Sequence, residues 1–183
     1  MSKRIAVAAA LTALALSLTG CASKSKPAAP ATGASASIVS GATATFKGVT
    51  VENANDITKE PKVTSSSTDV PTELEVQDLI IGGGAPATAS STVKVQYVGA
   101  RLSDGLNFDS SWSRGQPTSF SLTEVVPGFT QGIAGTGSIP PMKVGGRRIM
   151  ILPSSLAYGA QGQGADIPPN TPLVFVVDLL GVS

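Results

Sequence analysis

The spacing of apolar residues predicts β-strands in the second half of the chain. Val93, Val95 and Tyr97 alternate with polar residues, which is the period of two expected for a strand with one buried face. Apolar segments of similar length predict further strands at residues 74–81, 118–122, 147–152 and 172–180. The last of these is apolar at both odd and even positions, so we expect it at the centre of the sheet.

One segment, residues 124–134, predicts a helix. It is short, and Gly128 and Gly132 lower its helix propensity, whereas Pro127 suits the first turn of a helix. The only other strong local signal is a tight turn at Asp104-Gly105, which follows the strand that contains Tyr97. Strands on both sides of one short helix predict an α+β domain over residues 72–183, with a mostly antiparallel sheet.

Residues 46–71 form an extension whose structure the pattern does not decide. Residues 46–51 alternate like a strand, and residues 62–64 are a second strand candidate. Turn-forming residues lie between the two segments. Either an extra hairpin docked on the domain or a partly ordered arm fits this pattern.

The first twenty residues predict an export signal. Two basic residues precede an apolar run of about fourteen residues, which is too short for a bilayer that needs roughly twenty. The run ends in Leu18-Thr19-Gly20-Cys21, which resembles the lipobox of bacterial lipoproteins, in which the cysteine thiol receives a diacylglyceryl group. We therefore expect lipidation at Cys21 and anchoring to a bacterial membrane, outside the cytoplasm. The alternative is an ordinary signal peptide that happens to contain a cysteine.

Residues 21–45 predict a flexible tether between this anchor and the rest of the chain. They are mostly alanine, serine, proline, lysine and glycine, and such a composition buries too little apolar surface to order itself. About two dozen flexible residues have a root-mean-square reach of roughly 25–30 Å, which would lift a domain clear of the lipid.

Composition and charge exclude several classes of function. The net charge of +1 gives no field suited to nucleic acid, so we predict no nucleic-acid partner. Histidine is absent and there is one cysteine, so histidine-based acid–base catalysis, Cys/His metal sites and disulfides within the chain are excluded. We predict neither a metal nor a cofactor.

Six segments in order give residues 72–183 a resemblance to a known family. They are VQYVGARLSDGLNFDSS (95–111), RGQPTSFSL (114–122), VVPGF (125–129), VGGRRIMILPSSLAYG (144–159), IPPNTPLVF (167–175) and VDLLG (177–181). This domain resembles the FKBP-type peptidyl-prolyl cis-trans isomerases, the macrolide-binding immunophilins. The resemblance implies a twisted antiparallel β-sheet wrapped around one short helix, with an aromatic pocket between sheet and helix.

The resemblance also implies roles for individual residues. Carried over by position, the catalytic residues would be Tyr97, Asp109 and Tyr158. The substrate-binding residues would be Phe108, Arg114, Phe120, Val125, Val126, Phe129, Ile167 and Phe175. Phe129 would form the pocket floor, Arg114 would orient Asp109 through a charge-assisted pair, and the backbone N–H of Ile167 would be a polar group of the pocket.

The sequence departs from the common pattern of this family in four places. Phe129 stands where many members have tryptophan, which leaves a shallower floor, and Thr118 replaces a frequent aromatic. Asp166 stands where an apolar residue is usual and puts a charge at the pocket rim. The segment 135–141 is lengthened. These departures leave the predicted polar groups in place and bear on the rate and on macrolide affinity.

The leading functional hypothesis is a lipid-anchored isomerase that acts on X-Pro bonds of exported proteins outside the cytoplasmic membrane. Such a protein would bind proline-containing segments and, as the family name of immunophilin implies, macrolide inhibitors. One alternative is a module that holds proline-containing segments with little turnover. Another is an envelope interaction protein in which the domain is a spacer.

Overall fold

The structure, a computed structural model, describes residues 42–183. Cys21, the predicted export signal and most of the predicted tether lie outside the described residues. None of the helices in residues 42–183 is long and apolar enough to cross a membrane. The strands are β1 (Thr43–Phe46), β2 (Val49–Glu52), β3 (Lys62–Ser65), β4 (Glu75–Ile80), β5 (Thr92–Arg101), β6 (Asn107–Ser110), β7 (Thr118–Ser121), β8 (Arg147–Leu152) and β9 (Leu173–Val182). The α-helix is α1 (Pro127–Ala134), and two short 3-10 helices are Trp112–Arg114 and Ser154–Leu156.

The predicted α+β class, an antiparallel sheet with one short α-helix, is confirmed. The main sheet has six strands in the order β4-β8-β9-β5-β6, and β7 also pairs with β5. All of these pairings are antiparallel. Strand β9 lies between β8 and β5, so the segment that is apolar at both odd and even positions is central, as predicted. Strand β6 was not predicted.

The helix α1 begins at Pro127, three residues later than the predicted start at residue 124, and packs closely on β8. A Cβ atom at Gly128 would lie 2.7 Å from Leu152 Cδ2, and one at Gly132 would lie 2.2 Å from Met150 Sδ. The two glycines that weaken the helix in isolation are therefore required for its close approach to the sheet. Tertiary packing, and not helix propensity, stabilises this element.

The extension is ordered, as a second sheet with strand order β1-β2-β3. Residues 46–51, which alternate like one strand, form two strands that meet in a tight turn. Lys47 and Gly48 occupy this turn with φ angles of 50° and 79°, the positive values that two-residue hairpin turns need. Strand β1 begins at Thr43, so residues 43–45 belong to this sheet and the predicted tether boundary at residue 45 is wrong.

The extension covers one face of the main sheet and α1 covers the other. Met150, Leu152, Phe175 and Val177 belong to the core that contains the helix residues. Their neighbours at alternate positions, together with apolar residues of β1 and β2, form a second core, made of Ala44, Val49, Val51, Ala54, Leu79, Leu102, Ile149, Ile151, Val174 and Val176. The sheet is thus buried on both faces, which explains why β8 and β9 have apolar residues at both odd and even positions.

Two adjacent arginines on β8 point to opposite faces and join the layers. Arg147 is fully buried, donates from Nε to Asp178 Oδ1 at 2.5 Å, and donates from its terminal nitrogens to the backbone oxygens of Asn53 and Lys59 in the extension. Arg148 donates to the Asp78 carboxylate and to the carbonyl oxygen of Gly132 in α1. Each guanidinium therefore connects the main sheet to the layer that covers it.

Candidate active site

A cavity of about 320 Å³ opens between α1 and the main sheet. This volume lies at the lower end of the range for ligand pockets in proteins. It brings together all of the residues predicted for the site except Arg114 and Ile167. Its lining residues are Tyr97, Phe108, Asp109, Phe120, Glu124, Val125, Val126, Phe129, Tyr158 and Phe175.

The floor of this cavity is a cluster of aromatic rings around Phe129. Phe129 is 4% exposed, and its ring centroid lies 5.2 Å from that of Phe175, 5.4 Å from Phe120 and 6.3 Å from Tyr97. All three pairs are edge-to-face, the arrangement that the charge distribution of aromatic rings favours. Phe129 therefore lies at the centre of the aromatic cluster that lines the cavity.

Phe108 and Asp109 are adjacent in sequence and yet both line the cavity. In a regular strand they would point to opposite faces. The register of β5 against β6 shifts by one residue here, because Gly99 faces Asp109 and Ala100 faces Asn107. Phe108 is the extra residue of this bulge, which turns its side chain to the same side as the carboxylate. The bulge also broke the alternation that would have predicted β6.

Gly99 makes room for the aromatic wall on the β5 side of the cavity. A Cβ atom there would lie 2.7 Å from Phe108 Cζ and 2.9 Å from Phe175 Cε1, closer than side-chain carbons approach each other. Any side chain at this position would displace one of the two rings. Sequence reasoning missed this role, and the only signal was a glycine inside a strong strand pattern.

Asp109 is held by two donors from different elements. Arg114 Nη1 donates to Asp109 Oδ1 at 2.5 Å, which is the predicted charge-assisted pair, and the Tyr97 hydroxyl donates to Asp109 Oδ2. Arg114 Nη2 also donates to the Tyr97 hydroxyl oxygen at 2.9 Å. The three groups form a closed set that fixes the carboxylate at the cavity edge.

Ser111 positions Tyr97 within this set. Strands β7 and β6 pair with different parts of β5, at residues 92–95 and 98–100, and Tyr97 lies in the gap between them. The fully buried Ser111 fills the gap: its Oγ accepts from the Tyr97 N–H at 2.8 Å, and its N–H donates to the Tyr97 carbonyl at 3.0 Å. Ser111 is the last residue of a family motif, and no pattern in the sequence assigns it this role.

Both tyrosines of the site keep their hydroxyl protons at neutral pH. Burial, together with the hydrogen bond to Asp109, raises the pKa of Tyr97 to about 12. Burial and the nearby charge of Asp109 also raise the pKa of Tyr158 above its ordinary value. A phenol whose pKa is raised remains a neutral hydrogen-bond donor over a wider pH range.

Ile167 lies in a neighbouring cavity of about 260 Å³, which we call the side cavity. Its walls are Phe108, Asp109, Tyr158, Gln163, Asp166 and Ile167, so the first three belong to both cavities. The Ile167 N–H, predicted as a polar group of the pocket, donates to the Gln163 carbonyl at 3.3 Å. Residues 163 and 167 form a β-bridge, so the Ile167 N–H has a partner within the chain, and its predicted role as a polar group of the pocket stays a prediction.

The sequence model of the FKBP-type peptidyl-prolyl cis-trans isomerases matches residues 83–180, more than half of the chain. The chain belongs to this family. It is therefore a peptidyl-prolyl cis-trans isomerase, and the cavity around Phe129 is where the family resemblance puts the site. The extension, residues 42–71, lies outside the matched segment.

Relatives of this FKBP-type isomerase occur in bacteria and in the plant Arabidopsis thaliana. The FK506-binding protein of Streptomyces anulatus is 42% identical over 127 residues, which is 68% of this chain and 98% of that protein. The isomerase FkpA of Escherichia coli K12 is 43% identical over 124 residues, 68% of this chain and 42% of that protein. The crystal structure of AtFKBP13 is 38% identical, with a TM-score of 0.58 over 62% of this chain and 96% of that one.

We expect the catalytic efficiency of the isomerase to be the same from about pH 6 to about pH 9. The chain has no histidine, and the raised pKa values keep the Tyr97 and Tyr158 hydroxyls protonated over this range. The measurement is kcat/KM for one X-Pro peptide at several pH values by NMR exchange, which needs no coupling enzyme. A change in kcat/KM with a midpoint between about pH 6 and pH 9 would mean that an ionisable group other than Tyr97 and Tyr158 takes part in catalysis.

Proposed function

We propose that this isomerase is lipid-anchored through Cys21 and assists the folding of exported proteins by rotating their X-Pro bonds outside the cytoplasmic membrane. The observation that carries the catalytic part is an aromatic cavity with one fixed carboxylate at its edge and two protonated phenols. The anchored location is supported by the sequence of the first 21 residues alone.

The reaction needs no nucleophile. Resonance holds the peptide bond planar, with a barrier to rotation of about 18–20 kcal/mol, and X-Pro bonds exchange uncatalysed in tens of seconds or longer. Twisting the bond removes the resonance and with it much of the charge separation across C–N. The rings of Phe120, Phe129 and Phe175 would surround the proline and favour this less polar, twisted amide over the planar one, which water solvates well.

The polar groups would hold the substrate backbone while the bond rotates. Asp109, Tyr97 and Tyr158 line the same cavity as the aromatic floor, so they lie within reach of the backbone that flanks the proline ring. The Asp109 carboxylate would accept from a backbone N–H of the substrate. The Tyr158 hydroxyl is a donor suited to a carbonyl oxygen. Arg114 would act indirectly, because it fixes Asp109 and Tyr97 from the outer side and does not line the cavity.

A kinetic measurement tests the catalytic proposal directly. The full-length protein in a neutral detergent should speed cis-trans exchange of a peptide such as Ala-Ala-Leu-Pro-Ala, and a macrolide inhibitor added in excess should abolish the effect. Binding of the peptide without faster exchange would contradict the proposal and favour a module that only holds proline-containing segments.

We expect Cys21→Ser to abolish membrane anchoring. The thiol of Cys21 is the atom that would carry the lipid, and serine offers no thiol for that reaction. The measurement is partition of the expressed protein between detergent and aqueous phases, with Ser23→Ala as the matched control beside the cleavage site. A Cys21→Ser protein that partitions into detergent like its parent, with the signal removed, would show that the anchor lies elsewhere.

We expect Phe129→Trp to tighten macrolide binding, because the larger ring adds apolar contact worth about 0.5–1.5 kcal/mol if it fits. Phe129 is 4% exposed, so overpacking against Phe120 and Phe175 should also cost stability, about 1 kcal/mol or more. The measurements are macrolide titration and urea denaturation.

The new indole also tests the floor assignment by its own fluorescence. Trp112, the only native tryptophan, does not line the cavity, so a Phe129→Trp, Trp112→Phe protein reports from the floor alone. Its fluorescence should change on addition of a macrolide or proline peptide. No change at saturation would mean that Phe129 is not the floor of the binding pocket.

A further inference from the structure

The side cavity continues the main cavity across Phe108, Asp109 and Tyr158. These three residues line both, and the remaining walls of the side cavity are Gln163, Asp166 and Ile167. A substrate whose proline fills the main cavity therefore presents a neighbouring side chain to the side cavity. Its volume of about 260 Å³ accommodates one long side chain.

The two cavities carry an excess of negative charge. Asp109, Glu124 and Asp166 line them, and among the described residues that do so there is no lysine or arginine. Arg114 balances only Asp109. Within residues 42–183 the carboxylates of Glu124 and Asp166 have neither an ion pair nor a hydrogen bond.

Arg101 lies beside Asp166, but its side chain pairs with Asp104. The hydrogen bond to Asp104 and, less strongly, the charge of Asp166 raise the pKa of Arg101. Its Nε donates to Asp104 Oδ1 at 3.0 Å, and the two side chains also form an ion pair. Its Nη1 contacts the backbone oxygen of Asp166 at 3.4 Å, not the carboxylate. The Asp166 carboxylate is exposed at the rim and remains open to a charged group of the substrate.

We propose that Asp166 is a specificity-determining residue that favours substrates with lysine or arginine immediately before the proline. The carbonyl of that residue belongs to the rotating bond, and Tyr158, whose hydroxyl would donate to it, lies on the boundary between the cavities. The side chain of the residue before the proline is thus the one directed into the side cavity. The methylene stem of a lysine packs against Phe108 and Ile167 while the ammonium reaches Asp166. This inference rests on the isomerase activity and does not depend on the lipid anchor.

The test compares peptides Ala-Ala-X-Pro-Ala with X as lysine, leucine or glutamate. Full-length protein in a neutral detergent is used, and kcat/KM is measured by NMR exchange because a coupling protease would add its own preference for X. The parent should favour lysine over glutamate by about three- to tenfold, since one exposed pair attracts and the other repels. Salt at about 0.5 M should reduce this ratio by screening.

Variants locate the preference at Asp166. Asp166→Asn should lower the lysine-to-glutamate ratio at least about twofold, and Asp166→Lys should bring it below one. Glu73→Gln is the matched control, because Glu73 is exposed, lines neither cavity and precedes β4 at the opposite edge of the main sheet from β6. The control should keep the parental ratio.

Two results would overturn the proposal: a parental ratio near one, or a ratio that Asp166→Asn and Asp166→Lys leave unchanged. Failure of the isomerase activity itself looks different. In that case the parent would not speed cis-trans exchange of the leucine peptide either, and the proposed substrate preference would be rejected together with the activity.

Discussion

Replacing Asp109 by valine is expected to lower kcat/KM for an X-Pro peptide about ten- to a hundredfold, a loss of about 1.4–2.8 kcal/mol of transition-state stabilisation. Valine cannot accept the hydrogen bonds from Arg114 and Tyr97, so those donors lose their fixed partner at the cavity edge. The fold should survive. The side chains of Asp109 and Arg114 are 42% and 46% exposed, so water can solvate the guanidinium that is left unpaired.

Asp104→Asn is the matched control for this experiment. Asp104 lies in the same hairpin and also pairs with an arginine, Arg101, but it does not line the cavity. The leucine peptide, which carries no charge beside the proline, is the substrate for both variants, and circular dichroism checks that they are folded. Asp104→Asn should keep parental efficiency. If folded Asp109→Val does the same, Asp109 plays no part in catalysis.

The main sheet was predictable because its strands have clear apolar patterns. Predicted and observed bounds of β8 agree, and the strand predicted from the alternation of Val93, Val95 and Tyr97 is β5. Strand β6 was not predicted because it has only four residues and contains a bulge, which interrupts the alternation of apolar and polar side chains. The sequence predicts only a weak helix because two glycines lower its propensity. Those glycines allow close packing against Leu152 and Met150, and the local sequence does not indicate such tertiary contacts.

The sequence contained a signal that the extension packs on the main sheet, although the pattern of residues 46–71 alone did not decide its structure. Strands β8 and β9 are apolar at both odd and even positions, which requires cover on both faces of the sheet, and one short helix covers only one face. Residues 43–65 were the remaining strand-like segment available for the second face. Their hairpin turn at Lys47-Gly48 was hidden because the alternation of polar and apolar residues continues through it.

The family motifs contain most of the residues that line the cavity, and the features that they did not indicate depend on three-dimensional contacts. Ile167 lines the side cavity next to the main one. The β-bridge between Gln163 and Ile167 joins two loop residues, and no sequence pattern predicts such a bridge. Glu124 lines the cavity although it lies just before a motif segment, and Ser111 acts through the gap between β6 and β7. Matching residues to family motifs identifies the side chains that line the cavity more readily than residues such as Ser111, which hold those side chains in position.

The largest loss of stability is expected from Asp178→Ala. The Arg147 and Asp178 side chains are 0% and 1% exposed, and Arg147 Nε and Nη2 lie 2.5 Å and 2.7 Å from the two carboxylate oxygens. Removing one partner of a buried ion pair leaves a charge in the core and costs about 3–5 kcal/mol. That is a large fraction of the 5–15 kcal/mol by which domains are typically stable, so the variant should unfold at much lower urea concentration.

The matched control is Glu75→Gln, which breaks the pair between Lys47 and Glu75 at 3.2 Å. This pair also joins the extension to the main sheet, but its side chains are 59% and 33% exposed, so its loss should cost less than about 1 kcal/mol. Urea denaturation of chains that begin at residue 22, followed by Trp112 fluorescence, gives both values. A cost for Asp178→Ala no larger than for Glu75→Gln would contradict the assignment. The hydrogen bonds from Arg147 to Asn53 and Lys59 would then suffice to hold the buried guanidinium, and the extension would stabilise the sheet without the carboxylate.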